Sequence, residues 1–229
     1  MTKTKLLLIS ITLFLIVLSV KPSYAQQNDS TKYSGETWFG FQTIIPLGDL
    51  AKKSGINAGV GLNFGLIFTP VKTNENIQVG LDLGVGYFGM VKDSVFKTNN
   101  NFYTINFLSR VKGPAQGRVM TYMDVIVGTK LFIIATHYNN NLNNFLSDNA
   151  DYTTLDSKTS SVFSYGLGIG FKVLPKDKNT RGMLDIRCTF LKSGSMMYDT
   201  PYYTEKWVSS TNIVMPQISY LHIFKGRKR

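Results

Sequence analysis

Residues 55–69 read GINAGVGLNFGLIFT. Ile56, Ala58, Val60, Leu62, Phe64, Leu66 and Phe68 occupy alternate positions and are all apolar. Between them stand Gly55, Asn57, Gly59, Gly61, Asn63, Gly65, Ile67 and Thr69, mostly small or polar. A period of two is the mark of a strand whose faces meet different surroundings. The second face decides what those surroundings are. A soluble barrel buries its apolar face and shows water a face dense in Lys and Glu. A face of glycine and asparagine gains little from water but suits the crowded interior of a narrow barrel. The apolar face of residues 55–69 is therefore expected to meet lipid.

Two further stretches carry the same signature. In residues 77–88, Ile77, Val79, Leu81, Leu83, Val85 and Tyr87 alternate with Gln78, Gly80, Asp82, Gly84, Gly86 and Phe88. In residues 161–174, Phe163, Tyr165, Leu167, Ile169, Phe171 and Val173 alternate with Ser164, Gly166, Gly168, Gly170 and Lys172. Weaker versions lie at 35–45, 102–111, 118–136, 181–191 and 211–224. In 102–111 the alternation falters, because Leu108 interrupts the inner set and Ser109 the outer one. Eight strands result. The connections at 70–76, 112–117 and 175–180 are short, and those at 90–101, 137–160 and 192–210 are long. An even strand count with short turns on one side and long loops on the other is the pattern of outer-membrane barrels. Closure also satisfies edge hydrogen bonds that an open sheet in lipid would leave unmade. The expected fold is all-β, an eight-stranded antiparallel up-and-down transmembrane β-barrel.

Composition agrees. The chain has 229 residues, 43% hydrophobic, 13% aromatic and only 17% charged, with 12 Tyr, 15 Phe and 20 Gly. About a quarter of residues are charged in a typical soluble domain. Residues 1–25 open on Lys3 and Lys5, continue through an apolar run at 6–20, and place Ser23 and Ala25 before a cleavage point. This reads as an export signal. The run is short for a membrane helix, which needs roughly 20 residues. The expected plan is a cleaved signal at 1–25, a flexible segment at 26–34, the barrel at 35–224 and a basic tail at 225–229, with no further domain.

The formal charge is +11; without Lys3, Lys5 and Lys21 it is about +8. The bases are scattered through turns and tails, with no nucleic-acid module among them, so nucleic acid is not an expected partner. The single cysteine, Cys188, rules out an internal disulfide framework. No metal-ligand spacing is present, and no cofactor is expected. Seven charged residues fall on the inward phase: Asp82, Arg110, Asp124, Lys130, Lys172, Asp185 and Arg187. Charges inside a narrow barrel must be paired, because a lone one costs several kcal/mol or more. We expect them to form a network that closes the lumen.

Catalytic signals are weak. His137 stands at a strand end near Asn139, Ser147, Asp148 and Asp151, the one place where a surface lipid hydrolase could be sought. Asp148, Asp151 and Asp156 lack the fixed spacing of a calcium loop. Tyr198, Tyr202, Tyr203 and Trp207 fall together in the last long connection, suited to a partner, a carbohydrate or an aromatic girdle.

With the signal, strand count and loop rhythm in place, the chain resembles the small outer-membrane β-barrel proteins. These include the barrel of outer-membrane protein A and porin-like relatives in Bacteroidetes-type bacteria. Residues 56–68, 77–87, 163–173, 182–191 (GMLDIRCTFL) and 212–224 (NIVMPQISYLHIF) carry the likeness. The resemblance implies a Gram-negative outer-membrane location, contact with outer-membrane lipids and insertion by the barrel-assembly machinery. That machinery reads an amphipathic last strand ending in an aromatic residue. Tyr220 and Phe224 match loosely, since five residues follow Phe224. The expected role is non-enzymatic, in envelope structure or interactions through the long loops. The alternatives are a narrow porin for small solutes or an accessory barrel of a protein-secretion system, with an envelope or secretion-system protein as partner.

Overall fold

The computed structural model describes residues 34–54, 58–70, 76–92, 96–139, 152–176, 181–198 and 207–225. The expected export signal and most of the expected entry segment lie outside these residues, as does the end of the basic tail. The strands are β1 (Ser34–Pro46), β2 (Gly59–Phe68), β3 (Ile77–Lys92), β4 (Phe96–Gln116), β5 (Val119–Asn139), β6 (Tyr152–Val173), β7 (Gly182–Ser193), β8 (Ser195–Tyr198), β9 (Trp207–Ser210) and β10 (Ile213–Lys225). One helix, α1 (Asp49–Ser54), follows β1.

Eight strands close on themselves in the order β1-β10-β7-β6-β5-β4-β3-β2, every pairing antiparallel. The seam is sealed where β1 meets β10, Gly35 opposite Phe224 and Ile45 opposite Val214. Because the last strand returns to the first, no barrel edge is left to lipid. The shorter members, β2 with 10 residues and β7 with 12, match the ~9 to 11 residues needed for a tilted crossing.

β4, β5 and β6 are about twice that length, at 21, 21 and 22 residues. This corrects the expectation of connections at 90–101 and 137–160. Residues 90–92, 96–101, 137–139 and 152–160 are paired strand. The connection expected at 112–117 is also mostly strand. It narrows to a two-residue loop, Gly117 and Arg118, between Gln116 and Val119. Gly117 takes φ 61° there, the first-position glycine that a tight hairpin of this kind requires. The polar connection after β1 contains α1, and the last long connection contains a small hairpin of β8 and β9. Tyr202 and Tyr203 of the aromatic group in that connection lie outside the described residues.

A candidate lumen network inside a lipid-facing barrel

The outward face of the barrel is apolar on every strand. On β2, Val60, Leu62, Phe64, Leu66 and Phe68 are all exposed, while Gly59, Asn63, Gly65 and Ile67 are buried. Phe41 and Phe163 are each 66% exposed and Ile169 is 64% exposed. Such a belt of large apolar side chains is tolerated where lipid, not water, covers it. Its loop-side limit is visible in the sequence. On β6 the outward residues change from Phe163 to Ser161, Thr159 and Ser157, and on β4 from Tyr103 to Asn101 and Asn99. Cys188 lies on this face and is exposed.

The inward face is filled by side chains. Trp38 of β1 lies over the glycine track of β2, where a Cβ on Gly65 would stand 1.9 Å from the indole ring. Tyr122 of β5 does the same over Gly170 of β6, at 2.5 Å. The glycines of one strand thus make room for bulk carried by its neighbour, which is why the polar faces of β2, β3 and β6 are so small.

Every one of the seven charged residues predicted to point inward is buried, none more than 2% exposed. Arg110 grips Asp124 with both ends of its fork, Nε to Oδ1 at 2.7 Å and Nη2 to Oδ2 at 2.9 Å. Arg187 bridges two carboxylates, donating from Nη1 to Asp124 Oδ2 at 3.2 Å and from Nη2 to Asp82 Oδ1 at 2.8 Å. Its Nε donates to Gln217, whose amide donates in turn to Gln42 Oε1 at 3.0 Å. Bidentate, multiply bonded guanidinium groups are the form in which buried charge is best compensated. The rings add to this. The Arg110 guanidinium lies 3.7 Å from the Tyr122 ring centre, and both Arg110 and Arg187 lie 5.2 Å from that of Trp38.

Two members were not among the predicted residues. Glu36 pairs with Lys172, accepts from Gln78 Nε2 at 3.2 Å and lies 3.9 Å from Arg110 Nη1. Its signal was its phase, since it shares the inward set with Trp38, Gly40 and Gln42. Tyr122, two positions before Asp124, donates its hydroxyl to Asp185 Oδ1 at 2.7 Å. Lys130 is set apart from the rest. Its ammonium donates to the backbone carbonyls of Leu191 at 3.4 Å and Thr211 at 2.5 Å.

Lys130 lies on the loop side, where the lumen turns apolar. Phe88, Phe102 and Phe132 pack there with ring centres 5.2 to 6.2 Å apart. Ile44, Ile126, Ile213 and Met215 belong to the same buried cluster, as does Leu50 of α1. The lumen therefore holds a charged layer and an aromatic one in series.

Among the described residues, the candidate catalytic and metal positions form no cluster. Both ring nitrogens of His137 lie 3.0 Å from side chains on adjacent strands, Asn99 Nδ2 on β4 and Thr154 Oγ1 on β6. The ring ties three strands together. Ser147, Asp148 and Asp151 lie outside the described residues. Among the described residues no group of His, Cys, Asp and Glu could hold a metal ion. No helix among them is long and apolar enough to cross a membrane.

Belt, closure and strand number together define an eight-stranded barrel of the bacterial outer membrane. No family model matches the sequence, and no curated protein matches it. Solved structures do. Ail, the attachment invasion locus protein of Yersinia pestis, is similar with a TM-score of 0.50 and 11% identity, covering 85% of this chain and 99% of that one. OprG of Pseudomonas aeruginosa is similar with a TM-score of 0.45 and 14% identity, covering 86% and 99%. Neisserial surface protein A gives 0.42 and 11%, covering 85% and 96%. At these identities the likeness to Ail is one of fold alone. As with outer-membrane barrels generally, the lipid of that membrane and the barrel-assembly machinery are its generic partners.

Proposed function

We propose that this is a non-enzymatic envelope barrel with a closed lumen, acting through its loop-side rim. The observation that carries the reading is the lumen itself. The Arg110–Asp124–Arg187–Asp82 chain spans from β4 through β5 and β7 to β3, with the Phe88, Phe102 and Phe132 layer above it. A hydrated ion crossing this interior would have to break buried ion pairs and then part a packed aromatic layer.

The rim is built for contact instead. β6 pairs with β5 as far as Tyr152, whereas β7 follows β6 only to Ser164. Residues 152–161 thus run about 33 Å, at ~3.3 Å per residue, past the end of the β7 ladder. The loop-side ends of β4, β5 and β6 therefore stand beyond the lipid belt, where another envelope protein can meet them. An envelope or secretion-system protein is the class of partner this reading admits. The narrower likeness to porin-like proteins of Bacteroidetes-type bacteria belongs to the same reading and rests on the glycine-lined strands.

The test is planar-bilayer conductance of the purified, refolded chain from residue 26. The proposal expects no stable unitary current. Long-lived channels of uniform conductance would replace it with the small-solute pore.

A further inference from the structure

Among the described residues, the acids and bases of the lumen cancel in number: Glu36, Asp82, Asp124 and Asp185 stand against Arg110, Lys130, Lys172 and Arg187. The described strand feet at the short-connection rim carry Lys112, Arg118, Lys176 and Arg181.

Three of these cations, Arg118, Lys176 and Arg181, are exposed and stand at neighbouring strand bases. Val119 pairs with Val173, Val173 with Leu184, and Gly182 with His222, so β5, β6, β7 and β10 bring them to one sector. Arg118 donates from Nε to Leu174 O at 3.1 Å, which pins its guanidinium across the foot of β5 and β6. Among the described residues of these strand feet, the nearest acid, Asp185, points inward to Tyr122. Immediately beyond the cations the outward residues are apolar and exposed: Val119, Phe171, Leu184 and Tyr220.

The cations therefore stand within a few residues of the surface that faces acyl chains, at the depth of the headgroups. Long basic side chains in that position lay their stems on the apolar surface and put their charge among phosphates. An arginine fork matches phosphate oxygens directly. We infer that the short-connection rim between β5 and β10 binds anionic phospholipid headgroups. A polyanion in the aqueous space, such as cell-wall peptidoglycan, would have to displace the headgroup layer before reaching Arg118 or Arg181.

The experiment uses the refolded chain in symmetric vesicles of phosphatidylcholine with a minor fraction of phosphatidylglycerol, so leaflet orientation does not enter. Spin-labelled forms of both lipids report how many of each are immobilised at the barrel. The expected result is several-fold enrichment of phosphatidylglycerol, falling as salt rises and lost in R118Q/K176Q/R181Q. The variant K52Q/K192Q, changed on the far rim, retains it. Equal immobilisation of the two lipids, or enrichment unchanged in the triple variant, overturns the inference. So does sedimentation with insoluble peptidoglycan that depends on the three residues while lipid selectivity is absent. The salt titration of the unmodified chain keeps the test decisive should the triple variant fail to refold.

Discussion

Arg187 shows how a period-two reading reaches single residues. It stands two positions after Asp185 on β7, and from the phase of Leu184, Ile186 and Cys188 its direction was legible. Asp82, Arg110, Asp124 and Lys172 were legible in the same way. Which acid would meet which base was not. Partnership across a barrel depends on register and strand order, and Asp82 meets Arg187 over a sequence separation of 105 residues. Glu36 carried the right phase but sat at the start of its strand, where only one alternation precedes Trp38. Lys130 shared the phase too, yet its height along β5 takes it past every acid to two carbonyl groups. Removing Arg187 would leave Asp82 and Asp124 short of compensating charge. Arg187→Met is expected to destabilise the barrel by about 3 to 5 kcal/mol, read from urea unfolding in lipid vesicles. In Asp82→Asn/Arg187→Met the loss should be less than the sum of the single losses, and strict additivity would mean that the two side chains do not interact.

At the scale of the element, β2 and β6 were plain because both faces are chemically pure. β4, β5 and β6 were underestimated for a matching reason. Above the belt no lipid meets the outward face, so Ser157, Thr159 and Ser161 replace Leu167 and Phe163, and the contrast between faces disappears. A run such as Asn99, Asn100, Asn101 then looks like a loop although it is paired with Ala135, Ile134 and Ile133. The helix α1 was hidden by its brevity, since six residues give too few turns to show a period. Within the belt, Leu62 of β2 lies between Phe41 and Val85 on the outward face. Leu62→Arg should cost about 2 to 4 kcal/mol near the bilayer midplane. Vesicle refolding titrations measure this, and an unchanged midpoint would place that position away from the acyl chains.

The molecule as a whole separates two apolar or enclosed environments. Outside is hydrocarbon, and inside is a lumen packed with paired charge and aromatic rings. Glycine on the polar phase links them, because it lets Trp38 and Tyr122 lie flat against β2 and β6. Under the proposed function the contacts fall to the two rims, one extended by β4, β5 and β6 and the other basic. The most direct test scans β2 with spin labels on single cysteines in a Cys188→Ala background, in lipid vesicles. Labels at 60, 62, 64 and 66 are expected to collide with oxygen dissolved in the acyl region, and labels at 63 and 67 to be shielded. High accessibility of the even positions to a water-soluble relaxant, or no alternation, would contradict a lipid-facing barrel.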